Sequence, residues 1–209
     1  MLSLGMDIGT STVKLVLLRD GAMAKQWMAV HHGRPFACLK KGLSALELDA
    51  DTPFSLCVTG SNTEALLEQD SAIPSLGDIP AIVEGVRQLV PQAGSVIEIG
   101  SQGARFITDL QSRAPQFAVN EHCAGGTGSF FEDQMSRVGC KLEDYSSLVE
   151  QAQSVPRLSG RCAVFAKTDI QPLLNQGAHK EDVAASIFQA VVNQTITGLA
   201  QGRPIEGKV

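Results

Sequence analysis

The chain has 209 residues, 44% of them hydrophobic and 19% charged, a balance that suits a folded globular protein and argues against disordered, collagen-like and membrane classes. A formal net charge of -5, without any basic stripe, excludes general attraction to nucleic acid or anionic lipid. No basic segment precedes Asp7 and no apolar run suggests a membrane span, so the expected setting is the cytoplasm, with no nucleic-acid or membrane partner.

The first eighteen residues, MLSLGMDIGTSTVKLVLL, read as strand, glycine and hydroxyl turn, strand. The tip carries Gly9, Thr10, Ser11 and Thr12, small residues that permit close approach of a phosphate to backbone N–H groups, and Lys14 adds a point charge. Asp7 ends the first strand and suits a hydrated magnesium ion rather than phosphate itself. Residues 27–53 read as the rest of a first sheet, with strands expected around 26–30 and 56–59. VTGSNTEALLEQD then reads as a strand running into a helix capped by Ser61 or Asn62, and a helix over 79–89 follows Asp78. Residues 91–94, Pro-Gln-Ala-Gly, mark a boundary between two similar domains, 1–90 and 91–209.

The second domain opens with SVIEIGSQGARFI. Glu98, Ile99, Gly100, Ser101 and Arg105 each follow Asp7, Ile8, Gly9, Thr10 and Lys14 by 91 residues. A recurrence of acid, Ile, Gly, hydroxyl and base between apolar strands marks an internal repeat of a phosphate hairpin, with Gln102 at the second tip. A helix is expected over Gly128–Val138, behind the glycine loop of NEHCAGGTGSFFED, and its positive N-terminal end favours any anion there, phosphate or thiolate. This loop is not a Walker A motif, since no lysine follows its glycines. SGRCAVFAKTDI reads as a strand-like run entered by Cys162, and residues 181–200 carry a helical apolar stripe. Only QGRPIEG, Lys208 and Val209 follow, so the chain reads as a fragment or excised unit of a longer polypeptide.

Five cysteines, Cys38, Cys57, Cys123, Cys140 and Cys162, contain no C-x-x-C pair, which argues against a disulfide framework or compact zinc module. Cys57, inside FSLCV, reads as a buried strand thiol, and Cys38 and Cys140 read as small core residues. Cys123 stands beside the helix end, where a thiolate is favoured.

Two such hairpins resemble the phosphate clamp of the actin-like (ribonuclease H-like) ATPase superfamily, in which two similar α/β domains flank a nucleotide cleft. The adenosine motif of that superfamily is not found in these 209 residues. MDIGTSTVK, CAGGTGSFFEDQ and GRCAVFAKTDIQ, in this order, closely resemble the activator ATPases of 2-hydroxyacyl-CoA dehydratases and benzoyl-CoA reductases. That resemblance implies an ATP-dependent one-electron donor. It implies a homodimer sharing one 4Fe-4S cluster, with Cys123 and Cys162 of each subunit as ligands, which agrees with four thiolates per cubane. It also implies Mg-ATP or Mg-ADP as ligand, Asp7 and Glu98 as catalytic acids, a dehydratase or reductase as acceptor, and an upstream low-potential donor.

The second hairpin departs from simpler activators, which carry Asp-Ile-Gly-Gly-Gln-Asp-Ser-Lys where this chain has Glu-Ile-Gly-Ser-Gln-Gly-Ala-Arg. The variant looks more like activase modules of long fused proteins. A small-molecule kinase on the same fold, a nucleotide-sensing module of a fused protein, and a zinc site recruiting His122 are the alternatives.

Overall fold

The structure, a computed structural model, describes every residue except 50, 121–123, 159–162 and 206, and excepts also the side chains of 163 and 164. The chain forms two compact units, Met1–Leu89 and Val90–Val209.

In the first unit, period-2 alternation produces β1 (Leu2–Ile8), β2 (Thr12–Arg19), β3 (Ala22–Val30) and β4 (Phe54–Thr59). They form one sheet in the order β3-β2-β1-β4, antiparallel except for the parallel pair β1 and β4. Leu4, Met6, Ile8, Val13, Leu15, Leu17 and Val58 face one side and make the core with α1 (Pro35–Ala45). Helix α1 replaces part of the sheet expected over 27–53. It starts on Pro35, whose missing N–H costs nothing in a first turn, and buries Cys38, Leu39 and Gly42. Gly42 lies where a Cβ would sit 2.5 Å from the Trp27 ring, so glycine permits the helix to seat. The short α2 (Glu64–Leu67) and α3 (Asp78–Leu89) complete the unit. The cap of α2 is Thr63, without a side-chain cap bond, rather than Ser61 or Asn62.

Cys57 is exposed, contrary to its reading as a core thiol. Leu56 and Val58 take the inward positions of β4, and the period of two turns Cys57 to the opposite face. Cys38 is buried as expected, and Cys140 is half-buried against the helical core of the second unit.

The second unit repeats the antiparallel meander with β5 (Ser95–Ile99), β6 (Ala104–Thr108) and β7 (Gln116–Asn120), in the order β5-β6-β7. Among the described residues the α-helices α4 (Gly128–Val138), α5 (Tyr145–Val149), α6 (Ala163–Asn175) and α7 (Lys180–Gln194) follow. Phe130, Met135, Ala166, Ile170, Val183, Ala184 and Ile187 form their common core. The run after Cys162 is thus helical, not strand-like: Ala166 and Ile170 are buried four residues apart, the helical spacing. A π-helical segment (Thr195–Ala200) continues α7 and packs Leu199 and Ala200 against Ala104 and Phe106 of the sheet. By length and composition Lys180–Ala200 passes for a membrane span, unlike the expectation of none, yet Val183, Ala184 and Ile187 within it are fully buried in the unit's own core.

Candidate functional site

Both meanders place their first hairpin on the same bonding pattern. In the first, antiparallel register sets Asp7 directly opposite Lys14, and Lys14 Nζ lies 2.6 Å from Asp7 Oδ2. Gly9 N–H donates to Thr12 O at 2.9 Å and closes the tip. In the second, Glu98 stands opposite Arg105, Arg105 Nη1 lies 2.8 Å from Glu98 Oε2, and Gly100 N–H donates to Gly103 O at 2.8 Å. The internal repeat therefore extends from residue types to cross-strand pairing and turn closure. The two ion pairs differ in exposure. Lys14 keeps 45% of its side chain in solvent, whereas Arg105 keeps 15%. An exposed pair contributes little and exchanges partners readily. The second tip is tight as well, since a Cβ on Gly100 would lie 2.9 Å from Glu98 Oε1, the movable end of a side chain, and 3.2 Å from Gly103 O.

The carbonyls of both tips are held from behind. Gly9 O accepts from Asn62 Nδ2 at 2.7 Å and meets His31 Nε2 at 3.2 Å, while Ser11 O accepts from His31 N at 3.0 Å. Asn62 N–H donates to Ile8 O at 2.9 Å, and Thr10 Oγ1 bonds Ser61 Oγ at 3.2 Å. At the second tip, Gly100 O accepts from Gly128 N at 2.8 Å, and Ser101 O accepts from Ser129 N at 3.0 Å and from its hydroxyl. Gln102 Nε2 donates to Ser129 Oγ at 3.3 Å.

These last bonds correct one expectation. The first N–H groups of α4 were assigned to an anion in the cysteine loop, but those of Gly128 and Ser129 donate to the second hairpin. Thr127 caps the helix, accepting from Phe130 N at 3.4 Å and donating to Ala124 O at 2.6 Å. Asn120 Nδ2 holds the same loop through Gly125 O at 2.9 Å.

The structure thus brings Asp7, Gly9, Thr10, Ser11, Thr12 and Lys14 to one tip, and Glu98, Gly100, Ser101 and Gln102 to the other. Among the described residues, the N–H groups of Thr10 and Gln102 have no intramolecular acceptor. N–H groups, hydroxyls and a partly exposed ammonium at one tip are the donors that phosphate oxygens require. Cys123 and Cys162, with His122, lie outside the described residues. No group of three or more metal-ligating side chains occurs among the described residues. His31, Asn62 and Ser129 escaped the sequence reading. A weak signal existed for Asn62, in the hydroxyl-rich TGSNT, and none for the other two.

A model of the BadF/BadG/BcrA/BcrD ATPase family matches residues 4–206. The chain belongs to the BadF/BadG/BcrA/BcrD ATPase family. The activator of lactoyl-CoA dehydratase of Anaerotignum propionicum is 29% identical over 214 aligned positions, which cover 100% of this chain and 81% of that protein. The crystal structure of the Acidaminococcus fermentans (R)-2-hydroxyglutaryl-CoA dehydratase component A matches with a TM-score of 0.87 at 24% identity, covering 99% of this chain and 80% of that one. The activator of the 2-hydroxyisocaproyl-CoA dehydratase from Clostridium difficile, solved with bound ADPNP, gives 0.87 at 23% identity, covering 99% and 77%. At such identities these solved structures establish the shared fold, the actin-like α/β architecture expected for this BadF/BadG/BcrA/BcrD member.

Proposed function

We propose that this chain is an ATP-dependent activator that passes single electrons to a 2-hydroxyacyl-CoA dehydratase or a reductase of the benzoyl-CoA type. The observation that carries the reading is the hairpin lattice present twice, with the second copy bonded directly to the helix that begins five residues after Cys123. Family membership and relatives described as dehydratase activators support the same conclusion.

In this reading the domains are 1–90 and 91–209. Thr10 N–H, the hydroxyls of Thr10, Ser11 and Thr12, and Lys14 hold nucleotide phosphates. Asp7 holds hydrated magnesium. Lys14 leaves Asp7 for phosphate as the cation arrives, an exchange that their shared exposure permits. Gly100, Ser101 and Gln102 present the second set of backbone donors. Glu98, whose Oε2 is engaged by Arg105, keeps Oε1 for orienting the attacking water.

The donor set fits an iron-sulfur cluster by its chemistry. Among the remaining cysteines, Cys38 belongs to the first core, Cys57 to the first sheet, and Cys140 to the helical core. The family resemblance assigns Cys123 and Cys162 as the ligands, two thiolates per chain, so four ligands require a homodimer or a sister domain. A bound cluster supplies one-electron chemistry, taken from a low-potential donor and passed to the acceptor. The N–H groups of Gly128 and Ser129, donating to Gly100 O and Ser101 O, tie the second hairpin to the start of α4, five residues after Cys123.

Mg-ATP binding and hydrolysis by wild type, Lys14→Met and Glu98→Gln test the nucleotide half. Loss of one charge-assisted bond, roughly 1.5–3 kcal/mol, predicts about 10- to 100-fold weaker binding for Lys14→Met. Glu98→Gln is expected to bind and not turn over. A wild type without nucleotide binding overturns the reading, and binding without hydrolysis favours the nucleotide-sensing alternative.

A further inference from the structure

The first tip is fixed by two side chains from distant parts of the chain, and peptide geometry says what that fixing does. In a trans peptide the C=O and the following N–H point in opposite directions. Gly9 C=O points back toward His31 and Asn62, so Thr10 N–H points away from them. At the second tip a backbone donor holds the equivalent carbonyl, since Gly128 N–H donates to Gly100 O, the repeat's counterpart of Gly9 O. The two hairpins reach one arrangement by different means, helix end in one and His31 with Asn62 in the other.

The protonation pattern of His31 is determined by its neighbours. Gly33 N–H donates to His31 Nδ1 at 3.1 Å, so Nδ1 carries the lone pair. The ring proton of the neutral form then sits on Nε2, where it donates to Gly9 O. His31 is 8% exposed and its backbone N–H also holds Ser11 O. A carbonyl oxygen has two lone pairs, and Gly9 O uses one for His31 and one for Asn62. A buried histidine spending its ring proton, its ring lone pair and its backbone N–H on one turn is more than a core filler.

We propose that His31, as the neutral Nε2–H tautomer, and Asn62 are positioning residues of the nucleotide site, orienting the Gly9–Thr10 peptide so that Thr10 N–H meets a phosphate oxygen. This rests on the nucleotide reading above. Neither residue touches the phosphate.

The two ring nitrogens can be tested separately. His31→Gln keeps a donor in the place of Nε2 and loses the acceptor for Gly33. His31→Asn keeps an acceptor in the place of Nδ1 and loses the donor to Gly9 O. Titration with Mg-ADP is expected to show affinity close to wild type for Gln and about tenfold weaker for Asn, the worth of one bond near 1.4 kcal/mol. Asn62→Asp, which turns a donor into an acceptor facing Gly9 O, is expected to weaken binding at least as much. Equal losses in Gln and Asn, or retention in Asn with loss in Gln, overturn the proposal, because a merely structural histidine supporting the 31–33 turn gives the second pattern. Should the variants not fold, the 15N shifts of the wild-type imidazole decide: a protonated Nε2 with bare Nδ1 agrees, and an Nδ1–H tautomer or imidazolium overturns it. A wild type showing that tautomer but no Mg-ADP binding overturns the nucleotide reading, and the inference with it.

Discussion

Gly60 is the position where one methyl group has most to disturb. It has φ of +105°, a conformation that L side chains rarely adopt, and its N–H donates to Asp78 Oδ1 at 3.1 Å. A Cβ there would lie 2.5 Å from the carbonyl carbon and oxygen of Ile8 and 2.6 Å from Asp7 Oδ1. The first two atoms are backbone of β1, whose Ile8 is fully buried, so relief requires moving the strand that leads into the hairpin. Strain from the backbone conformation costs about 1–3 kcal/mol, and overpacking adds about 1–3 kcal/mol. Reduced freedom of the unfolded chain returns about 0.4–1 kcal/mol, which is too little to offset either. Gly60→Ala is therefore expected to destabilise the first unit by about 2–5 kcal/mol, lowering Tm by at least about 10 °C for a unit of this size. Trp27, the single tryptophan, lies in β3, so its fluorescence during thermal unfolding follows this unit alone. Gly85→Ala is the control: exposed inside α3 with nothing within 4 Å of the added carbon, it is expected to stabilise by about 0.5–1 kcal/mol. A Gly60→Ala midpoint at the wild-type temperature would refute the reasoning.

Gly42→Ala sets a helix-propensity gain of about 1 kcal/mol against a Cβ driven 2.5 Å from a rigid indole ring and 2.7 Å from buried Leu15, an overpacking cost of about 1–3 kcal/mol. Net destabilisation with a shifted Trp27 emission is expected, and a more stable protein would contradict the packing. Phe106→Ala, at a fully buried ring of the sheet packed with Leu199 and Ala200 of the π-helical segment, should cost about 3–5 kcal/mol in denaturant unfolding of the second unit. The N–H and hydroxyl of Ser154, with Gln153 N–H, hold the Asp182 carboxyl below the usual carboxylate range. Because the folded value is depressed, its stabilisation is complete above the unfolded value near about 4 and is lost as pH falls through the folded one. Asp182→Asn should lower stability at pH 7 and flatten the acid limb of the stability profile, measured by urea unfolding across pH 2–7.

Both hairpins were legible because their chemistry is local: acid, glycine, hydroxyl and base within eight residues, repeated at constant spacing. Helix α4 was legible for the same reason, with Thr127 ahead of it and Gly139, left-handed at φ 73°, behind it. Helix α1 was hidden because its buried face uses Cys38, Leu39 and Gly42, too small and mixed to mark a period. The segment after Cys162 carries apolar residues on both sides, so only packing of Ala166 and Ile170 against α4 and α7 reveals helix over strand. Cys57 deceived for a related reason, an apolar run whose alternate members face opposite sides. His31 left no signal and Asn62 only the weak one of TGSNT, since their contacts with Gly9 span 22 and 53 residues.

Iron and acid-labile sulfide, determined on protein purified without oxygen, test the activator account most directly when wild type is compared with Cys123→Ser and Cys162→Ser. The account predicts about four irons and four sulfides for every two chains of wild type, a brown protein, and loss of both iron and the dimer in either variant. A colourless, iron-free wild type, unchanged by either substitution, would contradict it.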